Sequence, residues 1–220
     1  MIASLLLALR QMGDRAFFGP LAKGFLSTLA AFLALAGLTA WGVGDLAGGT
    51  GWLAGLAAAL GGLLVLGLAV WLFLPVMLAI TGLFLDSVAA AVERRHYPAL
   101  PPPTGASLAA QTRFNLGLAL KVGALSLAAL PFALLLPPLG AVLLWLISSV
   151  ALGHGLFEGV AQRRMGVDEA RALRRRREGP VLGLGAVLGA LALVPGLNLL
   201  VPVLGTAAMT HLLHRGGGGI

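Results

Sequence analysis

The chain contains a stretch of 35 residues without a charged side chain, from Gly51 to Leu85. As a helix this stretch is on the order of 52 Å long, whereas the hydrocarbon core of a bilayer is only ~30 Å thick. Of the 220 residues, 59% are hydrophobic and 10% are charged, against about 25% charged in soluble domains. A soluble globular enzyme, a disordered chain and a free nucleic-acid binder are excluded, and an all-α integral membrane protein is indicated.

Four apolar regions predict the elements of this fold. Phe25–Val43 and residues 52–85 are each long enough for a spanning helix. Residues 114–157 and 181–213 predict two hairpins with proline at their tips, Pro137-Pro138 in the first and Pro195 to Pro202 in the second. The first hairpin either spans the membrane or stops partway. The second has flanks of 14 and 11 apolar residues, so we expect it to be re-entrant, with its tip inside the membrane.

The second spanning helix is expected to continue past Leu85 to His96. Apolar residues of this extension fall on one stripe, whereas Glu93 and two other charged residues lie away from most of it. This pattern suits a helix that leaves the bilayer on the cytoplasmic side.

Basic residues occur only in alternate connections between six membrane-entering segments. With six segments, all 15 Lys and Arg residues fall on one side, and the positive-inside rule makes that side the cytoplasm. We therefore predict a single membrane domain over residues 1–220, in the bacterial inner membrane. Both termini and a basic segment over 158–180 are expected in the cytoplasm.

The densest positive charge lies in Arg171–Arg177, within this basic segment. Such a cluster suits nucleic acid or anionic lipid, and its position beside the membrane favours lipid headgroups and the fixing of topology. We expect anionic lipid as a partner and no nucleic acid.

The sequence offers no set of residues typical of catalysis or metal binding. His211 and His214 are three residues apart, but no carboxylate or thiol ligand is near them, so two interfacial histidines are favoured over a metal site. The glycines Gly183, Gly185 and Gly189 are better explained by close helix crossings than by a phosphate loop. We predict no enzyme, no cofactor and no metal.

Two features suit transport of an anion. The segment that includes Gly13, Arg15 and Lys23 joins flexible glycines to cations just before the first spanning helix. Backbone N–H groups at a helix start and an arginine bind oxyanions, although a solvated helix boundary has the same sequence. Asn198, at the tip of the second hairpin, either lines a pathway or caps a helix end.

Two stretches resemble the CysZ sulfate transporters, a family related to the eukaryotic etoposide-induced membrane proteins. The first is Val194–Val203 followed by Gly205–Met209, and the second is Ile80–Glu93. The resemblance implies an inner-membrane sulfate permease with two long spanning helices, partly penetrating helix pairs and assembly into homo-oligomers. The family's amino-terminal motif of the type Pro-Gly-(Leu or Ile)-Arg-Arg is replaced here by Gly13-Asp14-Arg15.

The sequence leaves two functions open. One is a passive or gradient-driven pathway for sulfate or a related oxyanion. The alternative is a membrane scaffold that does not transport and that contacts lipids or partners through its basic cytoplasmic face.

Overall fold

The computed structural model describes residues 2–10, 19, 22–27, 29–34, 52, 85–194 and 196–215. The chain divides into two compact units. The first unit comprises residues 1–18 and 85–220, and the second comprises residues 19–84. In the second unit, the described segments 22–27 and 29–34 are helical. Most of the two spanning helices expected over 25–43 and 52–85 therefore lies outside the described residues.

The first unit is all-helical over the ranges that the structure describes, as the sequence predicts. Its seven α-helices and one 3-10 helix are α1 Ile2–Arg10, α2 Leu85–His96, α3 Leu108–Leu135, α4 Pro137–Gln162, α5 Val167–Arg176, α6 Glu178–Ala192, the 3-10 helix Leu197–Leu199 and α7 Val201–Arg215.

Two of these helices, α3 and α4, are long and apolar enough to cross a membrane. Only 6% of the most apolar part of α3 and 17% of that of α4 is buried within the protein. A core helix of a soluble protein would be mostly buried, so the apolar faces of α3 and α4 fit lipid or another protein chain. The two helices form the first hairpin, and Leu118 lies beside Gly155 while Ala133 lies beside Gly140.

The tip of this hairpin differs in detail from the expected turn. Pro137 and Pro138 do not form a loop but the first turn of α4, and Leu136 alone links the helices. Proline is favoured there because a first-turn residue needs no N–H for a helical hydrogen bond. At its amino-terminal end, α3 begins at Leu108, before the apolar run starts. The Ser107 side chain caps this end, because it accepts a hydrogen bond from the Ala110 N–H at 3.3 Å.

The second hairpin consists of α6 and α7, joined through the 3-10 helix. Each helix has 15 residues and is therefore about 22 Å long, less than the ~30 Å of a hydrocarbon core. Gly196, in the turn, has φ of 85°, which glycine adopts without steric cost. The two short helices and the turn agree with the sequence, whereas the depth of the tip stays a prediction.

Helix α7 forms the centre of the first unit. It contacts α1, α2, α4 and α6, and twelve of its 15 residues are buried. Two threonines inside it donate to carbonyls one turn earlier, Thr206 to Pro202 and Thr210 to Thr206, both at 2.8 Å. The hydroxyl groups of both buried threonines are thereby satisfied within the helix.

Glycines allow the close crossing of α4 and α6. A Cβ atom on Gly185 would clash with the Ser149 carbonyl oxygen, and one on Gly189 would come within 2.6 Å of the Ser149 hydroxyl. Gly153 is the counterpart on α4, where a Cβ would lie 2.9 Å from the Val181 carbonyl. The assignment of Gly185 and Gly189 to a helix crossing is confirmed.

Candidate functional site

A basic pocket lies between α3, α4 and α5, with a volume of about 770 Å³. One face of α3 forms its first wall, because residues at intervals of three and four lie together on a helix. Helix α4 contributes two residues one turn apart, and α5 closes the pocket with a basic face. The lining residues are Ala110, Arg113, Phe114, Gly117, Leu118, Lys121, His154, Glu158, Val167, Asp168, Arg171, Arg174 and Arg175.

Positive charge exceeds negative charge in this basic pocket. Its walls carry five Lys and Arg side chains and two carboxylates, those of Glu158 and Asp168. Each carboxylate pairs with an arginine of α5. Within the described part of the chain, no carboxylate pairs with Arg113, Lys121 or Arg175. Three cations of the pocket are thus available to a negatively charged ligand.

Arg174 fixes one edge of the pocket through two ion pairs. Its Nε donates to Glu158 Oε1 at 2.6 Å, and its Nη1 donates to Glu178 Oε1 at 2.9 Å. The His154 Nε2 atom lies 3.1 Å from the same Glu178 oxygen. Glu158 is only 3% exposed, and its Oε2 has no hydrogen-bond partner among the described residues. These contacts join α4, α5 and the start of α6 beside the pocket.

A second buried group of charges, the Glu93 cluster, comprises Glu93, Arg163, Arg164 and His214. Arg164 Nε donates to Glu93 Oε1 at 2.7 Å, and His214 Nε2 lies 3.1 Å from that oxygen. Arg163 Nη2 lies 3.6 Å from Glu93 Oε2. The cluster connects α2 with the end of α7 and with the residues that follow α4.

The Glu93 carboxylate is charged because of these partners. Burial alone would raise the pKa of Glu93, but the hydrogen bonds from His214 and Arg164 and the charges of Arg164 and Arg163 outweigh it and lower the pKa to about 2. The sequence expectation for this residue is wrong, since Glu93 is 5% exposed and lies on the buried face of α2 with Val88, Ala89 and Val92.

Aromatic and imidazole rings extend the Glu93 cluster. The Tyr97 hydroxyl lies 2.9 Å from Nδ1 of the fully buried His211. Burial raises the pKa of the Tyr97 phenol, so the hydroxyl keeps its proton. The Tyr97 ring also lies 4.8 Å from that of His214, between ring centres. Tyr97 thus contacts both histidines, and the expectation that no carboxylate lies near them is wrong, because Glu93 lies beside His214.

The Arg171–Arg177 cluster has internal partners as well as exposed members. Arg177 Nη1 donates to the carbonyl oxygens of Leu212 and Leu213, at 2.9 and 2.8 Å, near the end of α7. A helix leaves its last carbonyls without partners, so Arg177 stabilises this helix end. Arg175 and Arg176 are exposed, and contact of the cluster with anionic lipid stays a prediction.

The site residues predicted from the sequence are mostly not placed by the structure. Gly13 and Arg15 lie outside the described residues, whereas Lys23 lies in the helical segment 22–27 with an exposed side chain. Asn198 is half-buried in the 3-10 helix Leu197–Leu199. It therefore precedes α7, which begins at Val201, and is not the residue next to the start of that helix. The roles proposed for these four residues stay predictions.

The basic pocket was not foreseen from the sequence, although one signal for it exists. Arg113 and Lys121 are eight residues apart with Gly117 between them, so they share a face of α3. The sequence interpretation treated Lys121 as a residue near the start of a segment whose side chain reaches the interface. The basic residues of α5 belong to the Arg171–Arg177 cluster singled out from the sequence, but that they meet α3 at one pocket depends on how the helices pack.

The described residues are all-helical, and two of their helices are long and apolar enough to cross a membrane, which fits an integral membrane protein. The chain matches the family model described as Sulfate transporter CysZ/Etoposide-induced protein 2.4 over residues 4–202. It therefore belongs to this family, and the resemblance seen in the sequence is confirmed. No curated protein and no solved structure matches the chain.

Proposed function

We propose that the protein conducts sulfate, or a related oxyanion, across the bacterial inner membrane, passively or driven by a gradient. The observation that carries this proposal is the family match, which extends over residues 4–202 of the 220. The family name refers to transport and not to catalysis, so we propose no catalytic residues and no cofactor.

The charge distribution around α3 and α4 supports an anionic substrate. Both helices are candidates for spanning a membrane, and the basic pocket between them and α5 has more cations than carboxylates. A cleft lined by one sign of charge raises the local concentration of the opposite ion. An oxyanion would therefore be concentrated beside the two helices.

A weak sulfate site near the amino terminus is part of this proposal. Gly13, Arg15 and Lys23 would hold the anion through backbone N–H groups and positive side chains. Binding there has to be weak, because a conduit has to release its ion. Asp14 replaces a neutral position of the family motif and would oppose the anion. Asn198 is proposed to line the pathway from the tip of the second hairpin.

The membrane arrangement that we propose has six membrane-entering segments, with both termini in the cytoplasm. One-sided placement of the 15 basic residues supports it. We also propose homo-oligomers, because α3 exposes many large apolar side chains that a neighbouring copy or lipid can cover; they include Leu116, Leu120, Leu127, Leu134 and Leu135.

Sulfate uptake into proteoliposomes tests the proposed function directly. The wild-type protein should take up radiolabelled sulfate faster than protein-free liposomes. Arg15→Ala should weaken sulfate binding about ten- to a hundred-fold, since a charge-assisted contact is worth roughly 1.5–3 kcal/mol. Asp14→Asn should strengthen it, because a repulsive charge is removed. Arg10→Ala, which removes an exposed arginine from the end of α1, is the matched control.

Two results would contradict these proposals. Wild-type uptake no faster than in protein-free liposomes refutes transport, and the scaffold function, with anionic lipid bound at Arg171–Arg177, then becomes the better explanation. Uptake and sulfate binding that are equal in wild type and Arg15→Ala refute the amino-terminal site.

A further inference from the structure

The basic pocket has the composition of an anion site separate from the amino-terminal segment. Its three cations without a carboxylate partner among the described residues come from two elements, Arg113 and Lys121 from α3 and Arg175 from α5. Because these charges line one cavity from two different helices, they form a three-dimensional arrangement rather than a stripe along a single helix. The cavity is open to its surroundings, and its volume of about 770 Å³ leaves the three exposed side chains accessible to an anion.

The negative groups of the pocket do not cancel this charge. Glu158 is held by Arg174 at 2.6 Å, and Asp168 by Arg171 at 3.3 Å. The Arg171–Asp168 pair is exposed, with 42% and 96% of the two side chains accessible, so it contributes little stability. Arg171 can therefore turn towards a bound anion at small cost.

The size of the pocket indicates how an anion would bind. A volume of about 770 Å³ corresponds to on the order of 25 water molecules at ~30 Å³ each. An oxyanion would keep part of its hydration shell while it contacts the cations. A larger ligand, such as the phosphate-bearing headgroup of a lipid, would also fit beside the apolar side chains of Phe114 and Leu118.

We propose that this pocket binds one tetrahedral oxyanion through Arg113, Lys121 and Arg175. Sulfate from solution and the phosphate group of a lipid headgroup share this chemistry. The choice of sulfate as the soluble ligand rests on the proposed function, whereas the site itself rests on the geometry of the pocket. Guanidinium groups pair with two oxygens of a tetrahedral anion and ammonium acts as a point charge, so divalent anions should be preferred over chloride.

Equilibrium binding of radiolabelled sulfate tests the proposal. The full-length protein in phosphatidylcholine nanodiscs, at constant ionic strength in chloride, should bind sulfate. Arg113→Ala, Lys121→Ala and Arg175→Ala should each weaken binding about tenfold, because each removes one charge-assisted contact. Arg94→Ala is the matched control, since Arg94 is exposed on α2 and does not line the pocket. It should bind sulfate like wild type.

A variant with the opposite expected sign separates binding from misfolding. Asp168→Asn removes a carboxylate from the pocket and frees Arg171, so it should bind sulfate several-fold more tightly. A misfolded protein would not gain affinity. Where wild type binds sulfate, the proposal is overturned if all three pocket variants bind as wild type does, if Arg94→Ala loses as much affinity as they do, or if Asp168→Asn binds sulfate no more tightly.

Native mass spectrometry distinguishes the two sources of the oxyanion. If a lipid headgroup occupies the pocket, wild type retains a phospholipid that Arg113→Ala and Lys121→Ala lose. If the ligand is a free oxyanion, wild type and the two variants retain equal amounts of lipid. The two variants then differ from wild type only in their weaker sulfate binding. A wild-type protein that binds neither sulfate nor a pocket-dependent phospholipid overturns the proposal.

Comparison with uptake keeps this proposal separate from the transport function. Sulfate binding that depends on the pocket, in a protein without uptake, would support the site and refute transport. Normal uptake with unchanged binding in all three pocket variants would refute the site and leave transport standing.

Discussion

Glu93 shows how much of this unit depends on single buried charges. The carboxylate is 5% exposed and is in contact with Arg163, Arg164 and His214. Removing one member of a buried ion pair leaves an uncompensated charge, which costs far more than a surface pair contributes. We therefore expect Glu93 to stabilise the packing of α2 against α7.

Replacing Glu93 by glutamine should destabilise the protein strongly. Glu93→Gln leaves the buried Arg164 guanidinium without its carboxylate and removes one of the two carboxylates that pair with Arg163, so we expect a loss of about 3–5 kcal/mol. Asp86→Asn is the matched control on the same helix, because Asp86 is 69% exposed where it pairs with Arg163. Its expected loss is about 0–1 kcal/mol. Unfolding in mixed micelles measures both variants, and equal losses would contradict the role given to Glu93.

Acid should destabilise the wild type through the same residue. The pKa of Glu93 falls from 4.5 to about 2 on folding, so the unfolded chain takes up a proton at higher pH than the folded protein. The stabilisation by Glu93 is complete above pH 4.5 and is lost as the pH falls towards 2. Unfolding at a series of pH values should show this loss in wild type, and Glu93→Gln should lack it. The same acid sensitivity in both proteins would assign it to other groups.

Residue-level contacts of this kind could not be predicted from the sequence. Glu93 was expected away from the apolar stripe because a carboxylate on a periodic helix usually faces water. Its partners Arg164 and His214 are 71 and 121 residues away along the chain. Local periodicity contains no information about such partners. The placement of Gly185 and Gly189 at a helix crossing was predicted correctly, because small residues in an apolar helix have one common explanation.

At the level of elements, apolar runs located the helices but not their ends. The hairpins were expected over 114–157 and 181–213, whereas α3 begins at Leu108 and α6 at Glu178. A run of apolar residues shows where a helix can contact lipid. The helix itself can continue into polar residues until a capping residue ends it. The polar cap at Ser107 lies outside any apolar run, which explains the longer α3.

The crossing of α4 and α6 gives a prediction about an element pair. In Gly185→Ala the new Cβ would clash with the backbone of α4 at Ser149 and Gly153, so the helices have to separate. We expect a loss of about 1–3 kcal/mol. Gly159→Ala is the control, since a Cβ there meets nothing within 4 Å, and it should be neutral or stabilising by up to ~1 kcal/mol. Thermal unfolding in detergent compares them, and equal stability would rule out a tight crossing.

At the scale of the whole molecule, the sequence predicted the class better than the site. Composition indicated a membrane protein, and the motif at Val194–Val203 led to the family that matches residues 4–202. The basic pocket could not be predicted, because its walls come from three helices whose packing depends on α4 crossing its neighbours. The amino-terminal anion segment, which the sequence emphasised, lies mainly outside the described residues.

The arrangement of the whole chain in the membrane gives the last prediction. The chain has no cysteine, so single cysteines can be introduced without a background of native thiols. With all 15 basic residues on the cytoplasmic side, a membrane-impermeant thiol reagent should label Asp45→Cys from outside intact cells. It should label Leu100→Cys, Asp168→Cys and Gly218→Cys only after the membrane is opened. Labelling of Gly218→Cys in intact cells would place the carboxy terminus outside and require an odd number of crossings, which would divide the basic residues between the two sides.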